Sequence, residues 1–229
     1  MKRSFKKQLK KWNIGEYVRQ FSIVTGGVLL TLWLSSLITA SSKQREVRQA
    51  MQLVALELRN NVGVIHDYEW LYTDEKRIAR LMRERNFSLK GLPADTMEVY
   101  WRRLTNGMGK PFRFLTDALE MFKTTGIAAE ITDKRIVIEL LRTYNVIKAF
   151  DNSMDLYYKQ RSEALLPFTM GPGNLFGYGE LKDTFVELLA TNSMQGWISA
   201  IPHAFNADFF SHNSERIEAM IAELEKRYR

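Results

Sequence analysis

The sequence predicts an all-α protein: one N-terminal transmembrane helix, then an antiparallel helical bundle with two long helices. Three observations carry that expectation. RQFSIVTGGVLLTLWLSSLITASSK, residues 19–43, holds no charge between Arg19 and Lys43. Two later stretches, 47–72 and 136–165, repeat apolar residues at spacings of three and four, which is one face of an α-helix. Nowhere does the chain alternate apolar and polar residues convincingly enough for a strand.

The uncharged run from Phe21 to Ala40 is twenty residues long. At helical rise it covers about 30 Å, the thickness of a bilayer's hydrocarbon core. A core helix of a soluble domain would show a polar stripe, and here the hydrophilic groups are only Ser, Thr and Gly. Ahead of the run stand Lys2, Arg3, Lys6, Lys7, Lys10, Lys11 and Arg19 against Glu16 alone, whereas Lys43, Arg45, Arg48 and Arg59 follow it. The positive-inside rule then keeps the N-terminus in the cytoplasm and translocates the rest. The domain plan is a basic cytoplasmic tail (1–20), a transmembrane helix (21–41) and a helical extracytoplasmic domain (42–229). Trp12 and Tyr17 fall where an interfacial aromatic belt would lie. A cleavable signal peptide is the competing reading, with Ala40-Ser41-Ser42 as its cleavage site, but its apolar core is normally shorter and its basic lead-in briefer.

The net charge of +7 and pI near 9.5 suggest nucleic acid until the charge is located. Residues 1–20 carry seven cations and one acid, a net +6, which leaves +1 for everything after the span. A basic segment beside an anionic leaflet accounts for that excess, so no nucleic-acid partner is expected. The absence of cysteine excludes lipoprotein acylation, thiolate metal sites and Cys nucleophiles.

From Ser42 to about Asn86 a long helix is expected, with Val47, Met51, Val54, Leu58, Ile65, Tyr68 and Tyr72 as a seam and Asn61 in its one polar place. Leu53, Leu56 and Val64 widen this face, so an ordinary amphipathic helix competes with a true coiled coil. NFSLKGLPA (86–94) breaks it, and Asp95 caps a short helix through Leu104. NGMGKP (106–111) is a turn, and a helix follows from about Phe114 to Thr124, with Gly126 placed as a left-handed terminating residue. Asp133 opens the second long helix, whose seam is Ile136, Leu140, Leu141, Tyr144, Ile147, Phe150, Met154, Tyr157, Tyr158 and Leu165 until Pro167 stops it. GPGNLFGYG (171–179) is a loop. Helices at about 180–190, 194–204 and 206–228 complete the chain, the middle one disturbed by Pro202.

No residue is expected to be catalytic, cofactor-binding or metal-binding. GPGNLFGYG lacks both the dinucleotide spacing and the Gly-Lys-Ser/Thr of a phosphate loop; its Leu175, Phe176 and Tyr178 are candidates for a contact loop. His66, His203 and His212 have no second histidine at helical ligand spacing, although His203, Asp208 and His212 could converge across a bend at Pro202. Asp151 and Asp155 lie one turn apart among Lys148, Lys159 and Arg161, on a face that reads as solvated. Within the span, Gly27, Thr31, Ser35 and Thr39 recur every four residues, with Ser22 and Gly26 extending the small-residue surface. Such a face lets another helix approach closely.

The stretch FLTDALEMFKTTGIAAEITDKRIVIELLRTYNVIKAFDNSMDLYYKQR, residues 114–161, resembles a family of single-span membrane proteins of Bacteroidetes-type bacteria with a basic tail and a helical exported domain of uncharacterised function. The matching residues are MFKTTG at 121–126, the cap Asp133, Leu140-Leu141, Tyr144 and Tyr157-Tyr158. The chain departs from the pattern at Thr125 and in having one tyrosine at Tyr144 where a pair is usual. What the resemblance implies is an anchored, non-catalytic helical module. The expected protein is a single-pass component of the inner (cytoplasmic) membrane, N-terminus cytoplasmic and bulk periplasmic. It would act as an interaction or scaffold module without cofactor, on the lipid bilayer, as a homo-oligomer or with a membrane protein partner. A membrane-tethered envelope enzyme and a ligand sensor signalling through a cytoplasmic partner are the alternatives.

Overall fold

Helix α1, Ile14–Glu84, is a single helix of 71 residues. It contains both the apolar run and the first seam, with no non-helical residue between them. The computed structural model describes residues 14–105, 110–169 and 181–229, and among them every regular element is helical. The chain forms two units, dividing after Gln49. In the described part of the first unit, the large apolar side chains from Phe21 to Ile38 are 46–71% exposed. By length and composition, α1 is apolar enough to cross a membrane.

In the second unit, α1 is followed by α2 (Ala94–Thr105), α3 (Asp117–Thr124), the single turn α4 (Ile127–Glu130) and α5 (Lys134–Thr169). Then come α6 (Leu181–Leu189), α7 (Asn192–Ala200), a 3-10 turn at Ile201–His203 and α8 (Phe209–Tyr228). The break after α1 falls at Asn86 and Phe87, both at positive φ, with the Phe87 N–H donating to Met82 O at 2.7 Å. α5 continues two residues past Pro167, so the proline sits inside its last turn rather than before it.

The seam of α1 is buried at every position from Met51 to Tyr72, whereas Leu53 and Leu56 are about half exposed. The wide-face reading is therefore narrowed: α1 turns one stripe to the interior and leaves those two leucines outside. The α5 seam is buried likewise, except Leu141. Contacts between Glu57 and Tyr144 at one end and Glu75 and Arg161 at the other show that α1 and α5 run in the same direction. α8 runs back against α1, with Gln52 near Tyr228 and Tyr72 near Phe210. Two parallel helices need a long connection, and residues 85–133 supply it. The core joins these helices through rings: Tyr68, Phe150 and Tyr158 at one level, Tyr72, Tyr157, Phe205 and Phe210 at the next.

Candidate functional site

The buried stripe of α1 is not wholly apolar. Glu57, Asn61, Tyr68, Tyr72 and Glu75 lie in phase with its aliphatic residues, all of them buried. A buried polar group must find a partner or lose its hydration for nothing. Each of these five finds one in a piece of chain that is not α1.

Three of them hold the returning segment 112–118. The Tyr68 hydroxyl donates to Phe112 O at 2.7 Å. Asn61 is bidentate on Leu115: its Nδ2 donates to the carbonyl at 2.9 Å and its Oδ1 accepts the N–H at 2.8 Å. Glu57 Oε2 accepts the Ala118 N–H at 2.7 Å, satisfying a free amide in the first turn of α3. The spacing is geometric. Seven helical residues from Asn61 to Tyr68 rise about 10 Å, and three extended residues from Phe112 to Leu115 cover about the same distance. Hence residues 112–116 stay non-helical and α3 begins at Asp117, later than the apolar pattern near Phe114 suggests.

The other two hold the helices together. Tyr72 donates to Ile201 O at 2.8 Å. Glu75 accepts from the Tyr157 hydroxyl at 2.6 Å and from Arg161 at 3.0 Å, and Arg161 also donates to Arg103 O at 2.9 Å. Arg161 is therefore part of the core, not of a solvated face, because it fills the seam place between Tyr157 and Leu165. At the opposite end, Glu57 Oε1 accepts from the Tyr144 hydroxyl.

Burial raises the Glu75 carboxyl above its ordinary range, against the pull of Arg161 and the Tyr157 bond. Burial, then the Glu75 charge, pushes Tyr157 well above a free phenol, and burial with the Glu57 bond does the same to Tyr144. These hydroxyls stay protonated and the acceptors beside them are occupied. The arrangement is suited to fixing helix register and the path of residues 112–118.

The remaining expected residues separate. Asp151 and Asp155 both face the Lys110 ammonium, Asp155 at 2.9 Å, so the carboxylate pair holds a lysine of the connection. His66 lies 3.6 Å from Glu69, and His203 and His212 are exposed. Among the described residues no three His, Asp or Glu side chains are grouped as a metal would need. Leu175, Phe176 and Tyr178 lie outside the described residues.

On the first unit's helix, Gly27, Thr31, Ser35 and Thr39 are exposed. The Thr31 hydroxyl donates to Gly27 O at 2.8 Å and that of Thr39 to Ser35 O at 2.9 Å. Both donors are thus satisfied within their own helix, which is how such residues are accommodated in apolar surroundings. What they offer a neighbouring helix is small size, together with the remaining acceptor capacity of each oxygen.

Glu57, Glu75 and Arg161 were not among the expected residues, although their signal is present: Glu75 and Arg161 fall at seam spacing on otherwise apolar faces, and Glu57 lies beside the seam, three residues after Val54 and four before Asn61. Comparison with protein-family models, with curated proteins and with solved structures finds no match.

Proposed function

We propose that this is a single-span protein of a bacterial inner membrane whose helical domain, outside the cytoplasm, works by contact with other proteins as scaffold, assembly factor or partner subunit. The observation that carries this reading is the composition of α1. One unbroken helix holds an uncovered apolar stretch of bilayer length and then the polar and apolar stripe on which the bundle is built. An uncovered stretch of that kind is stable in lipid and costly in water. The seven cations before the span orient it with the N-terminus in the cytoplasm. The resemblance to the single-span family of Bacteroidetes-type bacteria belongs to the same proposal.

A contact role is favoured over catalysis because the buried polar groups are engaged with the protein's own backbone and with one another. Reporter fusions after Arg229 test the topology. A reporter active only outside the cytoplasm is expected to be active there, and activity of a cytoplasm-only reporter at the same junction would overturn the orientation. Cross-linking in intact cells before solubilisation tests the contact role. A chain recovered only as an uncross-linked monomer would sink it.

A further inference from the structure

The last turns of α1 carry more positive charge than the fold uses. Between Lys76 and Lys90 stand Lys76, Arg77, Arg80, Arg83, Arg85 and Lys90 against Glu84 alone. Arg77 is bound by Asp74 at 2.7 Å, and Arg85 donates to the carbonyls of Ser88 and Lys90. Lys76, Arg80 and Arg83 make no ion pair or hydrogen bond with any described residue; Lys76 has only the Tyr72 ring, 5.6 Å from its Nζ to the centroid. A cation in the final turn is favoured by the helix dipole, which accounts for Arg83. It does not account for Lys76 or Arg80, which lie further back and, one turn apart, repel each other.

Those two cations line an open cleft of about 630 Å³ between α1 and the 206–210 segment. The volume is in the range of small-molecule sites. Tyr72, Leu81 and Phe210, the first and last largely buried, are apolar members of its lining and Asn206 a polar one. Of the two acids in the lining, Glu69 faces His66, and Glu84, one turn beyond Arg80, makes no ion pair with it. A charged head and an apolar stem are thus both provided for, a turn of helix apart.

We propose that this cleft binds an anionic amphiphile, with a phosphate or carboxylate group between Lys76 and Arg80 and an apolar stem along Tyr72, Leu81 and Phe210. Arg80 offers a planar fork for the anion's oxygens and Lys76 a point charge. The site is a ligand site in addition to any protein contact, and it does not depend on the topology argued above.

The test uses the full-length chain in a neutral maltoside detergent, with hexyl phosphate as probe and inorganic phosphate and hexanol as controls, followed by calorimetric titration. Hexyl phosphate is expected to bind saturably at one site, at least about tenfold more tightly than either control. Lys76→Glu with Arg80→Glu is expected to weaken it at least about tenfold. Lys76→Gln with Arg80→Gln gives the same readout if the reversed pair melts early. Binding no tighter than hexanol, absence of saturation, or unchanged affinity in the glutamine variant with wild-type melting would overturn the proposal. Competition in the same detergent by dihexanoyl phosphatidylglycerol, with dihexanoyl phosphatidylcholine as control, then separates the sources. Displacement of hexyl phosphate by the anionic lipid alone assigns the site to a lipid headgroup, and no displacement by either assigns it to a soluble anion.

Discussion

Gly126 shows how much a single residue can disclose. It follows the C-cap of α3 and has φ of 72°, the left-handed conformation that its position after MFKTT suggests. A Cβ there would meet nothing within 4 Å, so Gly126→Ala is strained by the backbone alone. The expected loss is about 1 kcal/mol, read as a lower melting temperature of the full chain in mild detergent. A rise would refute the assignment. Asn61 was legible only halfway: its place in the seam could be read from spacing, but not its purpose. A buried amide in a helix has no preferred partner until something is brought beside it, and the Leu115 peptide, 54 residues away, is that partner.

At the scale of elements, the two long helices were visible because burial of one stripe imposes a period that survives in sequence. Their ends were less so. α5 passes Pro167, and α8 starts at Phe209 after a 3-10 turn and a non-helical stretch, because local bonds and packing override propensity there. The charged pair between α1 and α5 gives a sharper test of how these elements hold together. Glu75→Leu leaves the buried Arg161 guanidinium without its carboxylate and is expected to cost about 3 kcal/mol or more; Arg161→Met does the converse to Glu75. Replacing both by apolar residues of similar size is expected to recover most of that loss. Denaturation of the four chains forms a double-mutant cycle. Simple additivity of the single losses would show that the pair does not act as a unit.

On the scale of the whole molecule, the question is what the apolar stretch of α1 and the bundle leave available for partners. The seam from Met51 to Tyr72 is buried in the protein's own core, so it is not free to extend a pairing begun along the apolar stretch. The small-residue face of that stretch is the remaining candidate for self-pairing. Gly27→Leu with Thr31→Ile adds bulk where two backbones would approach, and is expected to reduce self-association of the span in a membrane dimerisation reporter. A signal that does not change, or none from the wild type, would leave only a partner of another kind.

What the sequence determined by itself are the features that depend on neighbours along the chain. They include the uncharged stretch of bilayer length, the charge asymmetry around it, the all-α class with its two long amphipathic stripes, and the glycine that ends α3. Each follows from periodicity, charge or backbone sterics within a few turns. The tertiary structure alone decided that α1 and α5 run parallel, that residues 112–116 remain non-helical, and that Arg161 belongs to the core. It also gathered Lys76 and Arg80 around a cleft with Asn206 and Phe210. The cleft apart, those features rest on groups tens of residues apart, each satisfying a charge or a hydrogen bond that its own helix could not.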